Sequence, residues 1–136
     1  PGDKRKLSVF VSKQENTKNY ILPVRGKGLW GPIWGYIALK DDYNTIVGAS
    51  FDHKSETPGL GAEINTEAFE QQFIGKKLFN KQNKFVSVDV VKGGAPQGDQ
   101  HAVDAISGGT ITSNGVDAML EECLSSYVTY FKKHQK

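Results

Sequence analysis

Cysteine is all but missing from this chain. Cys123 stands alone, which excludes an intrachain disulfide and any cysteine-rich zinc or iron–sulfur site. No run of apolar residues is long enough to span a bilayer. Neither sign of charge dominates: 17 Lys and Arg stand against 15 Asp and Glu. No basic stripe interleaved with aromatics is present either, so nucleic acid is not an expected partner. Hydrolase chemistry lacks its signature, since no Gly-x-Ser-x-Gly elbow occurs and none of the three histidines is paired with a nucleophile. The glycines are not read as a nucleotide-binding signature, and no Walker sequence is present.

What remains is the composition of one soluble globular domain, residues 1–136. The mean hydropathy of −0.46 and 38% hydrophobic content suit a chain of this length that buries roughly two-thirds of its unfolded surface. The densest basic group, Lys132-Lys-His-Gln-Lys136, closes the last predicted helix, where cations complement the dipole.

The most informative stretch is Asp104-Ala-Ile-Ser-Gly-Gly-Thr-Ile-Thr-Ser-Asn-Gly-Val116. It sets two glycines and several hydroxyl residues in front of an amphipathic helix. A helix start carries unpaired N–H groups and the positive end of the macrodipole, so it suits a phosphate. Gly108 and Gly109 let backbone approach such a group closely. Thr110 presents a hydroxyl where the phosphate would sit, fit for a phosphoester or a non-covalent contact. The plainer reading is a capped helix start, with Ser113 or Asn114 as N-cap and the glycines serving a turn.

Two upstream segments weigh on that choice: Gly26-Lys-Gly-Leu-Trp-Gly-Pro-Ile-Trp-Gly-Tyr-Ile-Ala-Leu39 and Thr45-Ile-Val-Gly-Ala-Ser-Phe-Asp-His-Lys-Ser-Glu-Thr-Pro-Gly-Leu-Gly61. With the 104–116 stretch, and in this order, they resemble the covalent-FMN domain found in the C subunit of the sodium-pumping NADH:quinone oxidoreductase. Glu-Thr-Pro-Gly-Leu-Gly carries most of the likeness. Gly-Leu-Trp followed by Gly-Tyr-Ile-Ala-Leu is more similar to that C subunit than to the G subunit of the Rnf-type ferredoxin complex. The resemblance implies an FMN joined through its phosphate to a threonine by a dedicated flavin transferase. The family's motif there reads Asp, two variable residues, Ser or Thr, Gly, Ala, Thr. Asp104, Ser107, Gly108 and Thr110 match it, so Thr110 carries over as the attachment residue, and Gly109 stands where the motif has alanine. The resemblance also implies electron transfer within a membrane complex that couples NADH oxidation and quinone reduction to sodium export. The isolated domain is not expected to turn over alone. An N-terminal anchor in a bacterial inner membrane is expected ahead of residues 1–6, with the domain on the periplasmic side. The alternatives are a flavinylated G-type subunit of an Rnf-like complex and a non-redox module for a phosphorylated ligand.

Along the chain, residues 7–11 and 20–24 read as extended, with Pro23 at an edge or strand end. Residues 33–39 and 45–51 form a predicted hairpin about the turn Asp41-Asp-Tyr-Asn44. A short helix is expected over 65–74, capped by Asn65 or Thr66, and a half-buried strand over 85–91. A Gly/Pro loop follows over 93–99. From Val116, the apolar positions Met119, Leu120, Cys123, Leu124, Tyr127, Val128 and Phe131 keep the 3.6-residue period of one long helix. The predicted class is α+β, a twisted, mostly antiparallel sheet with helices packed on it.

The candidate cofactor residues follow from the helix start and the resemblance together. Ser107, Thr112 and Ser113 would complete the hydrogen bonds of a phosphodiester at Thr110. Lys27, in the turn Gly26-Lys-Gly28, is a cation beside the ring or a solvated loop lysine. Leu29 and Trp30 would cover the ring, whereas Trp34 reads as packing. The loop Glu56-Thr-Pro-Gly-Leu-Gly61 offers Thr57 and Leu60 as leading contacts, Gly59 and Gly61 as permissive backbone, and Glu56 as an acceptor that orders the loop; by itself it also suits a type II turn. Asp104 would draw the transferase's metal ion toward Thr110. His53, Glu56, Asp99, His101 and Asp104 have metal-ligand chemistry without a recognisable spacing, so no resident metal is expected. Cys123 reads as core filler.

Overall fold

The computed structural model describes residues 10–14 and 17–134. Four strands, β1 (Phe10–Gln14), β2 (Thr17–Lys27), β3 (Pro32–Leu39) and β4 (Ile46–His53), form one antiparallel sheet in sequence order. Period-2 patterning makes β3 a strand with one buried face: Ile33, Ile37 and Leu39 point inward, while Trp34 and Tyr36 point out. The predicted β3–β4 hairpin is present, in register from Ile33 opposite His53 to Ala38 opposite Gly48. Its turn is closed by Asp42, whose carboxylate accepts from the Asn44 and Thr45 N–H groups, both at 2.8 Å, and from the Thr45 hydroxyl. Pro23 lies within β2 opposite Tyr36, past Ile21, where the described pairing with β1 ends. The earlier part of the segment expected over 7–11 lies outside the described residues.

A 3₁₀ turn (Gly61–Asn65) leads into α1 (Glu67–Gln71), capped by Thr66, whose hydroxyl accepts from Phe69 N–H. The helix is shorter than the 65–74 expected, because Gln72 onward folds back in tight turns. The segment 85–91 departs further from expectation. Only β5 (Asp89–Val91) is strand, paired in parallel with β6 (Ala102–Asp104). Ser87 interrupts the alternation: its φ is +60°, and the N–H groups of Val86 and Ser87 both donate to Leu78 O. Its hydroxyl is buried without a hydrogen-bond partner among the described residues. Ser87→Gly removes both the left-handed strain and the unsatisfied hydroxyl, and is expected to raise stability by about 1 kcal/mol in urea unfolding.

The helical C-terminal part begins earlier and ends differently from the single helix predicted from Val116. Helix α2 (Thr110–Ser125) starts at Thr110 with Gly109 as N-cap, so neither Ser113 nor Asn114 caps it. It stops where the Ser125 and Ser126 hydroxyls both turn back to Glu122 O, competing with the helix's own bonding. After the break, α3 (Val128–His134) resumes, and Tyr127 and Phe131 extend the buried stripe of Val116, Met119, Leu120 and Leu124. That stripe packs on the inner sheet face, with Leu22, Val24, Ile33, Ile37 and Phe51. Phe69 and Phe73 close the core against the Phe51 ring at 5.7 and 5.2 Å.

One close crossing positions the site. A Cβ at Gly115 would run into the Lys27 carbonyl oxygen, so α2 meets the end of β2 backbone to backbone there. This sets the first turn of α2 over the 27–31 turn. Those residues, Gly26-Lys-Gly-Leu-Trp-Gly31, do have Gly-x-Gly-x-x-Gly spacing. They join two antiparallel strands, not a strand to a helix, so the dinucleotide-binding context is absent.

Candidate functional site

Three segments distant in sequence converge: the 27–31 turn, the loop 56–61, and the start of α2. A single buried carboxylate ties them together. Glu56 is 3% exposed. Its Oε1 accepts from Leu29 N–H at 2.8 Å and from the Thr112 hydroxyl, and its Oε2 accepts from Trp30 N–H at 2.8 Å. Its own N–H donates to His53 Nδ1 at 3.0 Å. Burial opposes ionisation of this carboxyl, but the bonds from Thr112, Trp30 and Leu29, with the nearby His53 acting in the same direction, outweigh it and hold it below its ordinary value. The packing leaves no slack. A Cβ at Gly28 would strike the Glu56 carboxylate, and one at Gly61 would strike the Thr112 hydroxyl.

Helix α2 opens without compensation. Gly109 supplies no side-chain cap, and the first turn carries no acidic residue. Ser113 N–H makes the first i→i−4 bond, to Gly109 O at 2.9 Å. Ahead of it, the N–H groups of Thr110, Ile111 and Thr112 precede any acceptor inside the helix. Gly108 reaches this start with φ +77°, and a Cβ there would lie 2.7 Å from Leu60 Cδ2. A methyl at Gly109 would sit 3.1 Å from Ile106 Cγ2 and 3.2 Å from Gly61 backbone. An alanine here would require Ile106 and the Gly61 backbone to give by a few tenths of an ångström.

Two cavities meet at Thr110. The first, about 250 Å³, lies between Leu29 and Trp30 on one side, Thr57, Leu60 and Gly61 on another, and the helix start, residues 108–112, on the third. Its rim is apolar: Leu29, Trp30, Leu60 and Ile111 are 45%, 65%, 44% and 57% exposed. The second, about 460 Å³, lies on the other side of Thr110 and is walled by Lys92, Gly93, Gly94, Asp104, Ser107 and Gly108, with Ala105 and Ile106.

Most of the sequence-derived residues therefore come together, but not all in the expected manner. Lys27 is exposed and lines neither cavity, and Gly59 also lies outside both. Gly28 sits behind the site, against Glu56. Ser113 is fully buried and its hydroxyl already accepts from Ile106 N–H at 3.0 Å, so it does not face a ligand. Asp104 is a strut, taking Ala95 N–H at 2.7 Å on its carboxylate while its backbone clasps the Gln72 amide. Trp34 lines a separate surface cleft with Arg25 and Tyr36, on the outer sheet face. Sequence reasoning missed Ile111, the exposed second residue of α2, and Lys92, the residue after β5. Among the described residues no group of three or more His, Cys, Asp or Glu is placed to hold a metal ion, and no helix is long and apolar enough to cross a membrane.

Similar proteins share this fold. The C subunit of the Na(+)-translocating NADH-quinone reductase of Vibrio alginolyticus is 46% identical over 107 residues, which are 79% of this chain and 41% of that protein. The crystal structure of the equivalent protein from Parabacteroides distasonis superposes with a TM-score of 0.85 at 53% identity, over 90% of this chain and 61% of that one. The crystal structure of Shewanella oneidensis NqrC gives 0.79 at 35%, over 93% and 61%. The chain spans about half the length or less of the curated relatives it matches. The FMN-binding domain family matches residues 28–125, a span that takes in β3 to β6, α1, α2 and every residue that lines the two cavities, and the chain belongs to that family.

Proposed function

We propose that this domain is an electron carrier of a sodium-translocating NADH:quinone oxidoreductase, with FMN esterified through its phosphate to Thr110. The observation that carries the proposal is the place of Thr110. It is the first residue of α2, it lines both cavities, and the N–H groups beside it lack intrahelical acceptors. When bound, the flavin supplies the redox chemistry. The chain's part is to hold and orient it. The unpaired N–H groups and Ser107 face the phosphate end, while Leu29, Trp30, Leu60 and Ile111 offer apolar surface to a flat ring and exclude water. Thr57 adds a hydroxyl at the ring edge. Glu56 holds the walls together from beneath. An ester keeps the carrier from losing its cofactor between electron arrivals.

Attachment needs a flavin transferase as a partner. The Thr110 oxygen forms a bond to the FMN-side phosphorus of FAD, AMP leaves, and the hydroxyl proton is released. Other members of the same membrane complex supply and accept the electrons, and an anchor preceding the domain holds it on the periplasmic side of the bacterial inner membrane. The test is the intact mass of the chain co-produced with an active transferase. A gain of FMN less one water is expected. No gain would overturn the reading, and reversible phosphate binding without that gain would make the domain a non-redox phosphorylated-ligand module.

A further inference from the structure

The second cavity is built by topology. Strands β5 and β6 run parallel, Val91 opposite Asp104, so their carboxyl ends emerge side by side. From β5 comes Lys92-Gly-Gly; from β6 comes the segment leading to Thr110. Facing loops at the carboxyl ends of parallel strands form a crevice, here about 460 Å³. Gly93 and Gly94 take φ of +82° and +105°, conformations that glycine adopts without strain. Asp104 anchors that loop through Ala95 N–H, which engages the one carboxylate in the wall. Lys92 is exposed and has no carboxylate partner among the described residues. It is the only cation among the described residues lining either cavity.

We propose that this crevice is the anion subsite of the domain, in which the Lys92 ammonium pairs with a phosphate ester held at Ser107, Gly108 and Thr110. The inference deepens the FMN reading and rests on it for the identity of the ester. The helix start supplies partial positive charge from backbone, Ser107 supplies a hydroxyl, and Lys92 supplies a full charge opposite them. The lysine is expected to contribute about tenfold in affinity, about 1.4 kcal/mol.

The experiment uses the flavin-free chain titrated with inorganic phosphate and followed by amide chemical shifts. The expected result is saturable movement of Lys92, Ser107, Gly108 and Thr110, weakened by sodium chloride. Lys92→Gln should weaken binding about tenfold and Lys92→Arg should retain most of it. Lys92 is exposed, so shifts elsewhere should stay at their parent positions, which also shows that the variants fold. Equal affinity in Lys92→Gln, or no response at these amides in the parent, would overturn the subsite. The mass of the co-produced chain is read separately. FMN loading with phosphate binding indifferent to Lys92 sinks the subsite and leaves the flavin reading standing. Lysine-dependent phosphate binding without loading does the reverse.

Discussion

Thr110→Ala, co-produced with an active flavin transferase, is expected to emerge at its unmodified mass, with complete loss of covalent FMN. The surrounding hydroxyls cannot stand in. Ser113 is fully buried and committed to Ile106 N–H. Thr112 is 2% exposed and donates to Glu56. Ser107 is open on the wall of the second cavity and Thr57 on that of the first, so Ser107→Ala and Thr57→Ala are the controls and should still load. Thr110→Ser keeps the nucleophilic oxygen at the helix start and should load too, more slowly, because it lacks the methyl that restricts χ1. The substitution to alanine leaves the fold intact, since alanine is the best helix former and Thr110 is not part of the core. Full loading of Thr110→Ala would move the attachment elsewhere and remove the central residue of the proposed function.

Much of the fold is legible because the periodicities are strong. The β3–β4 hairpin and the helical stripe from Val116 to Phe131 follow from burial of one face, which sequence records directly. What is not legible has local causes. Tyr43 falls in the predicted turn 41–44, where nothing in the pattern marks it as core, yet with φ +55° it tucks inward at 5% exposure and stacks on Tyr20 at 4.5 Å. Ser87 breaks a strand whose alternation looks unbroken, because two successive N–H groups converge on the single carbonyl of Leu78. Helix α2 begins at Thr110 because Gly109 turns the chain without any side-chain cap, so the usual sequence marker for a start is missing. The site shows the same division. Thr110, Thr57, Leu60 and Trp30 are found through the family motifs. Lys92 is invisible because its role depends on the parallel pairing of two three-residue strands, too short to announce themselves.

Glu56→Ala is expected to be the most damaging single change near the site, costing about 3–5 kcal/mol and lowering Tm by on the order of 10 °C or more. It leaves Leu29 N–H, Trp30 N–H and the Thr112 hydroxyl without their acceptor, inside a packed junction. Glu56→Gln separates charge from shape. Its one carbonyl oxygen serves Leu29 and Thr112, while its amide N–H₂ is turned onto Trp30 N–H, donor against donor. The cost is about 1–3 kcal/mol, and the 27–31 turn, no longer held at Trp30, should loosen and lower FMN loading. Acid distinguishes the variants. The carboxyl titrates below its ordinary 4.5 in the folded chain, so near that pH the native state binds fewer protons than the unfolded one. The stability it contributes is complete above about pH 4.5 and drains as pH falls through the lowered native pKa. Glutamine has no such proton to bind. The stability gap between parent and Glu56→Gln, measured in urea at pH 7 and again near pH 3, should therefore narrow in acid. A gap of equal size at both pH values would mean that the ionised carboxylate is not what holds the three segments together.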